Sequence, residues 1–276
     1  MCIRDRNKPL LIIIAVFASI SLLVWIGTKL NPKPFAPYPY DSQDSGSFPL
    51  PGDLPEPVGR FYRTLYGDEI PEINSFILTG RGNLRFQGVT LPARLRFTHD
   101  AGKGYRHYIE TTLWGVPVMK VNEHFLNLKS RLALPFGVVE NEPQVDEAAN
   151  LGMWSETLMF PGVFISTEGV RWEPIDEAKA KLIVPFGEKE DEFTVYFNPQ
   201  TGLIDKMAAM RWKNAGDSEK TLWEAQALAW GEIDGWKMPV LFAAQWMDES
   251  TPWLVARIEG VTWNADISEY IQQEGP

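Results

Sequence analysis

From Pro9 to Thr28 the chain carries no charged side chain, and Leu10, Ile12, Ile13, Ile14, Val16, Phe17, Leu22, Leu23 and Trp25 make it continuously apolar. Twenty residues at about 1.5 Å rise each span about 30 Å, the thickness of a bilayer's hydrocarbon. Only Ser19 and Ser21 interrupt the run, so it lacks the polar face of a soluble helix. It ends in Trp25-Ile26-Gly27-Thr28-Lys29-Leu30, bulky where a signal peptidase needs small residues. The pattern therefore predicts a cytoplasmic stub and retained transmembrane anchor over 1–30. Arg4, Arg6 and Lys8 precede the span and favour the cytoplasm, which leaves the rest of the chain outside.

Eight prolines follow between Asn31 and Pro57. Proline fixes φ and removes a donor, so 31–53 reads as an extended spacer before a domain over 54–276. In that domain Val58, Phe61, Tyr62 and Leu65 recur at helical spacing, and Gly67 supplies a stop. After Pro71 the period changes to two. Leu95 and Phe97 alternate with Arg94, Arg96 and Thr98, and Phe193, Val195 and Phe197 alternate with Thr194 and Tyr196, as in strands with one buried face. Turns are expected at 101–104, 198–202 and 234–235, with Pro199 and Gly202 suited to a hairpin.

Strands are expected near 73–80, 82–88, 91–99, 104–114, 116–122, 125–134, 169–175, 178–186, 191–198, 203–212, 221–230, 237–246 and 253–263. Strands do not alternate with long helices, which argues against a parallel α/β sheet. One interior helix is expected over Gln144–Phe160. Leu151, Trp154 and Leu158 form one apolar stripe and Val145, Ala149, Gly152 and Met159 another, so the helix should be enclosed. The expected fold is mainly β (α+β), a large curved antiparallel sheet or half-barrel around one helix.

Charge narrows the partners. Residues 1–33 hold five basic residues and one acidic one, so the remainder has 21 basic and 35 acidic residues and a formal charge of −14. Such a surface repels phosphate backbones, and no nucleic acid partner is expected. The sole cysteine, Cys2, excludes an intrachain disulfide or thiolate metal site. His99, His107 and His124 are scattered and show no His-Glu-x-x-His spacing, so they read as strand-face or surface residues with no metal. There is no Gly-x-Ser-x-Gly elbow and no P-loop, and Gly80-Arg81-Gly82 lacks the rest of a dinucleotide fingerprint; no cofactor is expected.

Glu156 falls inside the second apolar stripe of the helix. A carboxylate there needs a partner or a proton, so it is either a structural mate for an arginine such as Arg171 or Arg211 or a functional group. Ten of eleven tryptophans lie outside the anchor, enough to suggest an aromatic cavity as well as core filling. The ligand-binding candidates are Leu151, Trp154, Glu156 and Leu158 on the helix, together with Trp172 and Trp212.

Six landmarks occur in order: Leu54-Pro-Glu-Pro-Val58, Met153-Trp-Ser-Glu-Thr157 followed by Pro161, Val170-Arg-Trp-Glu-Pro174, Phe197-Asn-Pro-Gln-Thr-Gly202, Thr251-Pro-Trp253 and Val261-Thr-Trp-Asn-Ala-Asp266. Together they resemble a bacterial family of uncharacterised membrane-anchored proteins, over roughly 54–271. That resemblance implies no catalytic residue. A curved sheet holding a helix, with an Asn-Pro-x-Thr-Gly hairpin, also resembles distantly the half-barrel of periplasmic lipoprotein carriers, which implies a concave face that binds acyl chains. The leading expectation is a single-pass, extracytoplasmic protein that binds membrane lipid or another apolar small molecule. The alternatives are an envelope scaffold meeting an unknown partner protein, and a hydrolase with Glu156 as general base.

Overall fold

The computed structural model describes residues 8–44 and 46–275. Cys2, Arg4 and Arg6 lie outside the described residues. Helix α1 (Lys8–Gly27) is long and apolar enough to cross a membrane, and its aliphatic side chains are exposed. A short antiparallel pair, β1 (Ser47–Pro49) and β2 (Glu69–Pro71), brackets α2 (Glu56–Tyr66), which buries Val58, Phe61 and Tyr62 and ends at Gly67 with φ 80°.

The main sheet is built from two meanders. The first comprises β3 (Ser75–Phe86), β4 (Val89–Asp100), β5 (Gly104–Leu113), β6 (Val116–Leu126), β7 (Lys129–Leu134) and β8 (Gly137–Glu140). The chain then forms α3 (Pro143–Glu156), a 3-10 turn (Thr157–Met159) and α4 (Val163–Ser166). The second meander runs through β9 (Arg171–Asp176), β10 (Lys179–Phe186), β11 (Lys189–Phe197), β12 (Ile204–Arg211), β13 (Thr221–Ile233), β14 (Trp236–Trp246) and β15 (Leu254–Trp263). Among the described residues these thirteen strands make one antiparallel sheet, in which each meander keeps its sequence order and β15 pairs with β3. The sheet is not closed into a barrel: β8 and β9, neighbours in sequence, are its two free edges.

Two-residue turns with both residues at positive φ join several hairpins: Gln87-Gly88, Trp114-Gly115, Asn127-Leu128 and Asp234-Gly235. Their left-handed torsions match the twist of paired strands. The Asn127-Leu128 turn places one strand over 116–126, where the sequence suggested a break near 123. Similarly Gly80 and Gly82 do not divide two strands but lie inside β3. A Cβ on either would come within 2.2 Å of the Arg257 carbonyl or 2.1 Å of the Val255 carbonyl, so these glycines permit close approach of β15. The interior helix is shorter than 144–160, because Pro161 drives Phe160 out of helical torsions and the preceding turn tightens.

Helix α3 spans the two meanders and is tied to both. Asp146 accepts from the backbone N–H and hydroxyl of Ser130 at 2.7 and 2.8 Å and from Lys129 at 2.8 Å. On the other side Asn150 donates to Asp191 at 2.8 Å, and Arg211 donates to the Ala148 carbonyl at 2.9 Å. Trp154 is fully buried and lies near Phe164. The core formed by α2, α3 and one sheet face is rich in Phe, Leu, Val and Met.

The proline-rich stretch read as a spacer is laid along the opposite face of the sheet. Arg81 donates to the Pro32 carbonyl at 3.0 Å, Arg94 donates to that of Lys33 at 3.2 Å, and Phe35 lies 4.4 Å beneath the Arg94 guanidinium. The C-terminal tail covers the same face, where Arg106 donates to the Tyr270 and Gly275 carbonyls. Strand β5 is consequently buried on both faces, which erases the half-polar alternation expected of an exposed strand.

Burial raises the Asp191 carboxyl to about 6, the Asn150 hydrogen bond opposing and the Glu147 charge adding to it. Raised above its unfolded value, the group favours the fold while protonated and weakens it as pH climbs from about 4 through 6. With Asp191 only 7% exposed, the penalty for its ionised form at neutral pH is expected to be on the order of 2–3 kcal/mol. Asp191→Asn is therefore expected to raise the melting temperature at pH 7.5 and to change it little at pH 4. An equal shift at both pH values would contradict this.

Candidate functional site

Between α3 and the sheet lies a cavity of about 270 Å³. Its walls are Leu84, Phe97, Ile109, Met119, Val121, Leu158, Met159, Phe242 and the cross-strand pair Ala225 and Ala244. Trp223 and Trp253 also line it, and their indole N–H groups meet no protein acceptor among the described residues. A more polar cleft of about 540 Å³ adjoins it through Arg85, Phe86, Glu123, Leu132, Arg211 and Trp253.

This outer cleft is bounded by the turn Gln87-Gly88 and by Asn214 and Glu249 of the β12–β13 and β14–β15 turns. Antiparallel connectivity puts these turns at the same end of the sheet as Trp114-Gly115 and the β7–β8 turn. Helix α1 meets that end too: the Trp114 backbone N–H donates to the Gly27 carbonyl at 3.1 Å. Val89, Trp114, Val116, Val118, Phe136 and Val138 are exposed there.

One wall of the apolar chamber is charged. Register opposes Phe97 to His107 and His99 to Tyr105, so both histidines share one face of the β4–β5 hairpin. Glu156 ends α3 directly above them. Nε2 of His99 and Nε2 of His107 donate to the same oxygen, Glu156 Oε2, at 2.8 and 2.7 Å. Nδ1 of His107 faces Glu123 Oε2 at 3.6 Å, and the Tyr105 hydroxyl donates to Glu123 at 2.5 Å. Stacking fixes the rings: His99 lies 4.3 Å from Phe76, and His107 lies 4.0 Å from both Phe97 and Tyr105. The Arg211 guanidinium sits 4.5 Å from the Trp223 ring.

Burial alone would lower His107, but Glu156 and Glu123 outweigh it and raise the imidazole to about 9. Burial would raise Glu156, yet the two histidines hold its carboxyl down at about 2. For His99 burial wins and the imidazole is lowered, so it stays neutral at pH 7. Glu123 is held below its ordinary value against burial, chiefly by His107 and Tyr105. Two carboxylates thus face the imidazolium of His107 and the guanidinium of Arg211. The four charges balance, which is the condition for holding them away from bulk water.

Of the residues singled out from sequence, Glu156 and Leu158 line the chamber. Trp154 is sealed in the core, Leu151 turns toward β11, Trp172 packs on Phe164, and Trp212 borders the outer cleft. The expected arginine partner of Glu156 is replaced by the histidine pair: Arg171 is engaged by Glu190, and Arg211 bonds Ala148. His99, His107, Glu123 and Tyr105 were the residues missed. The hairpin turn at 101–104 carried the signal, since residues paired across it set His99 diagonal to His107.

Solved structures similar to the chain at low identity include the following two. One is a DUF1329 family protein from Desulfovibrio piger, with 11% identity over 73% of this chain and 90% of that one and a TM-score of 0.43. The other is a LolA superfamily protein from Nitrosomonas europaea, with 10% identity over 79% and 96% and a TM-score of 0.47. No curated protein sequence matches the chain. The sequence profile that does match, over residues 47–258, is that of DUF6544, a family of unknown function, and the chain belongs to this family.

Proposed function

We propose that the protein is a single-pass, outward-facing membrane protein whose domain takes up an amphiphile, an apolar chain with a polar head, from its own membrane. The observation that carries this reading is the chamber between α3 and the sheet, apolar on most of its lining and joined to a cleft at the end where α1 meets the domain. Pockets of this kind bind by burying apolar surface, and a few convergent polar groups orient the ligand. The apolar tips Trp114, Val116 and Phe136 favour contact with the membrane interface, so that a ligand enters without crossing water. Unpartnered indole donors and the charged wall suit a head group with acceptor oxygens.

The test uses the full chain in lipid nanodiscs containing a phospholipid with a photoactivatable diazirine on its acyl chain. Labels are expected on peptides carrying Leu84, Phe97, Met119 and Phe242 as well as on α1. Labelling confined to α1 and the exposed tips would overturn the proposal.

A further inference from the structure

We infer that His99, His107 and Glu156 form a three-ligand site for a divalent d-block ion of the zinc type, with its remaining position open on the apolar chamber. The inference goes beyond uptake of an amphiphile and does not depend on it. One ligand atom from each residue lies within 4.8 Å of the other two. Two imidazoles and one carboxylate, with a free position for water or another oxygen, are the donor set of open zinc sites. Imidazole also suits the neighbouring d-block ions, whereas calcium and magnesium prefer oxygen ligands throughout.

The geometry is near what such an ion needs. A tetrahedral ion with bonds of about 2.0–2.2 Å holds its ligand atoms about 3.4 Å apart. The Glu156 oxygen, now 2.7 and 2.8 Å from the two Nε2 atoms, needs to withdraw by only about 0.6 Å. Glu156 is the last residue of α3, so its side chain can make that adjustment without disturbing a strand. The imidazoles are held by neighbouring strands and by stacking on Phe76, Phe97 and Tyr105.

The surroundings of a ligand histidine are present as well. Metal-bound imidazoles give their second nitrogen to a carboxylate or carbonyl, which fixes ring orientation. His107 has Glu123 on Nδ1, and Glu123 is itself fixed by the Tyr105 hydroxyl. His107 and Glu156 line the chamber while His99 is 1% exposed behind them, so the open position faces inward to the cavity. Glu123 and Glu156 neutralise a divalent ion, and Arg211 adds one positive charge. The fourth ligand is therefore expected to be an anionic oxygen: hydroxide, or the carboxylate or phosphate of a bound molecule.

The experiment takes the full, untagged chain in detergent micelles, stripped with a chelator and titrated with zinc chloride by calorimetry and with cobalt chloride by visible absorption. One saturable equivalent of zinc per chain and the intense ligand-field bands of four-coordinate cobalt are expected. His99→Ala and His107→Ala should each weaken zinc binding at least tenfold, and Glu123→Gln by about ten- to a hundredfold. His124→Ala should change nothing, because that residue bonds the Gln273 carbonyl elsewhere. Loss of saturable uptake, uptake indifferent to His99 and His107, or only the weak bands of hydrated cobalt would overturn the inference. The cobalt spectrum of the unaltered protein decides the matter even if a variant fails to fold.

Discussion

Replacing Ala225 by phenylalanine is expected to reduce acyl-chain photolabelling of the chamber at least tenfold while leaving the melting temperature unchanged or raised. Ala225 and Ala244 face each other across β13 and β14 and both line the chamber. A benzyl group there enters the 270 Å³ that an acyl chain would need. Filling a cavity adds buried apolar surface, and such substitutions commonly stabilise by about 0.5–2 kcal/mol. Lower labelling with an unchanged melt separates a blocked chamber from a damaged fold. Undiminished labelling in both Ala225→Phe and Ala244→Phe would show that the lipid is held elsewhere.

The second large effect concerns Glu156. With metal removed by chelator, Glu156→Leu leaves His107 with only Glu123 for a partner and strips the Nε2–H of His99 of its acceptor. Breaking a buried charged pair from one side costs about 3–5 kcal/mol, a fall of roughly 10 °C for a domain of this size. Glu156→Gln retains an acceptor oxygen and should cost about 1–3 kcal/mol. Thermal melts of the two variants give the order directly. Equal stability of Glu156→Leu and the unaltered protein would mean that the histidine pair does not depend on the carboxylate.

Periodicity carried the architecture well. Alternation at Leu95 and Phe97 and at Phe193 to Phe197, with turns at 101–104, 198–202 and 234–235, gave hairpins that the fold contains. Elements were misjudged where a residue's role depended on a distant strand. Gly80 and Gly82 looked like a break because the closeness of β15 is invisible locally. The stretch after Asn31 looked like a tether because the donors to its carbonyls, Arg81 to Pro32, Arg94 to Lys33 and Arg96 to Ala36, come from strands whose outward arginines read as solvent-facing.

The candidate site was half legible. Glu156 stood out as a carboxylate in an apolar stripe, and the register of the β4–β5 hairpin was enough to align His99 with His107. What joins them is the passage of α3 across the sheet, which only tertiary packing decides. The tryptophans divide: Trp154 and Trp172 pack against Phe164, whereas Trp223 and Trp253 line a chamber whose walls are otherwise mostly aliphatic and phenylalanine.

The pairing of β3 with β15 also bears on how the sheet assembles. Among the described residues every other neighbouring pair in it is joined by a turn, so each meander can nucleate from its own hairpins with little loop entropy to overcome. Joining Leu84 to Leu254 brings together residues far apart in the chain, so this seam is expected to close last. Until it closes, the two edges that will be joined remain open to a second chain, and side-chain-free Gly80 and Gly82 make that late docking sterically simple.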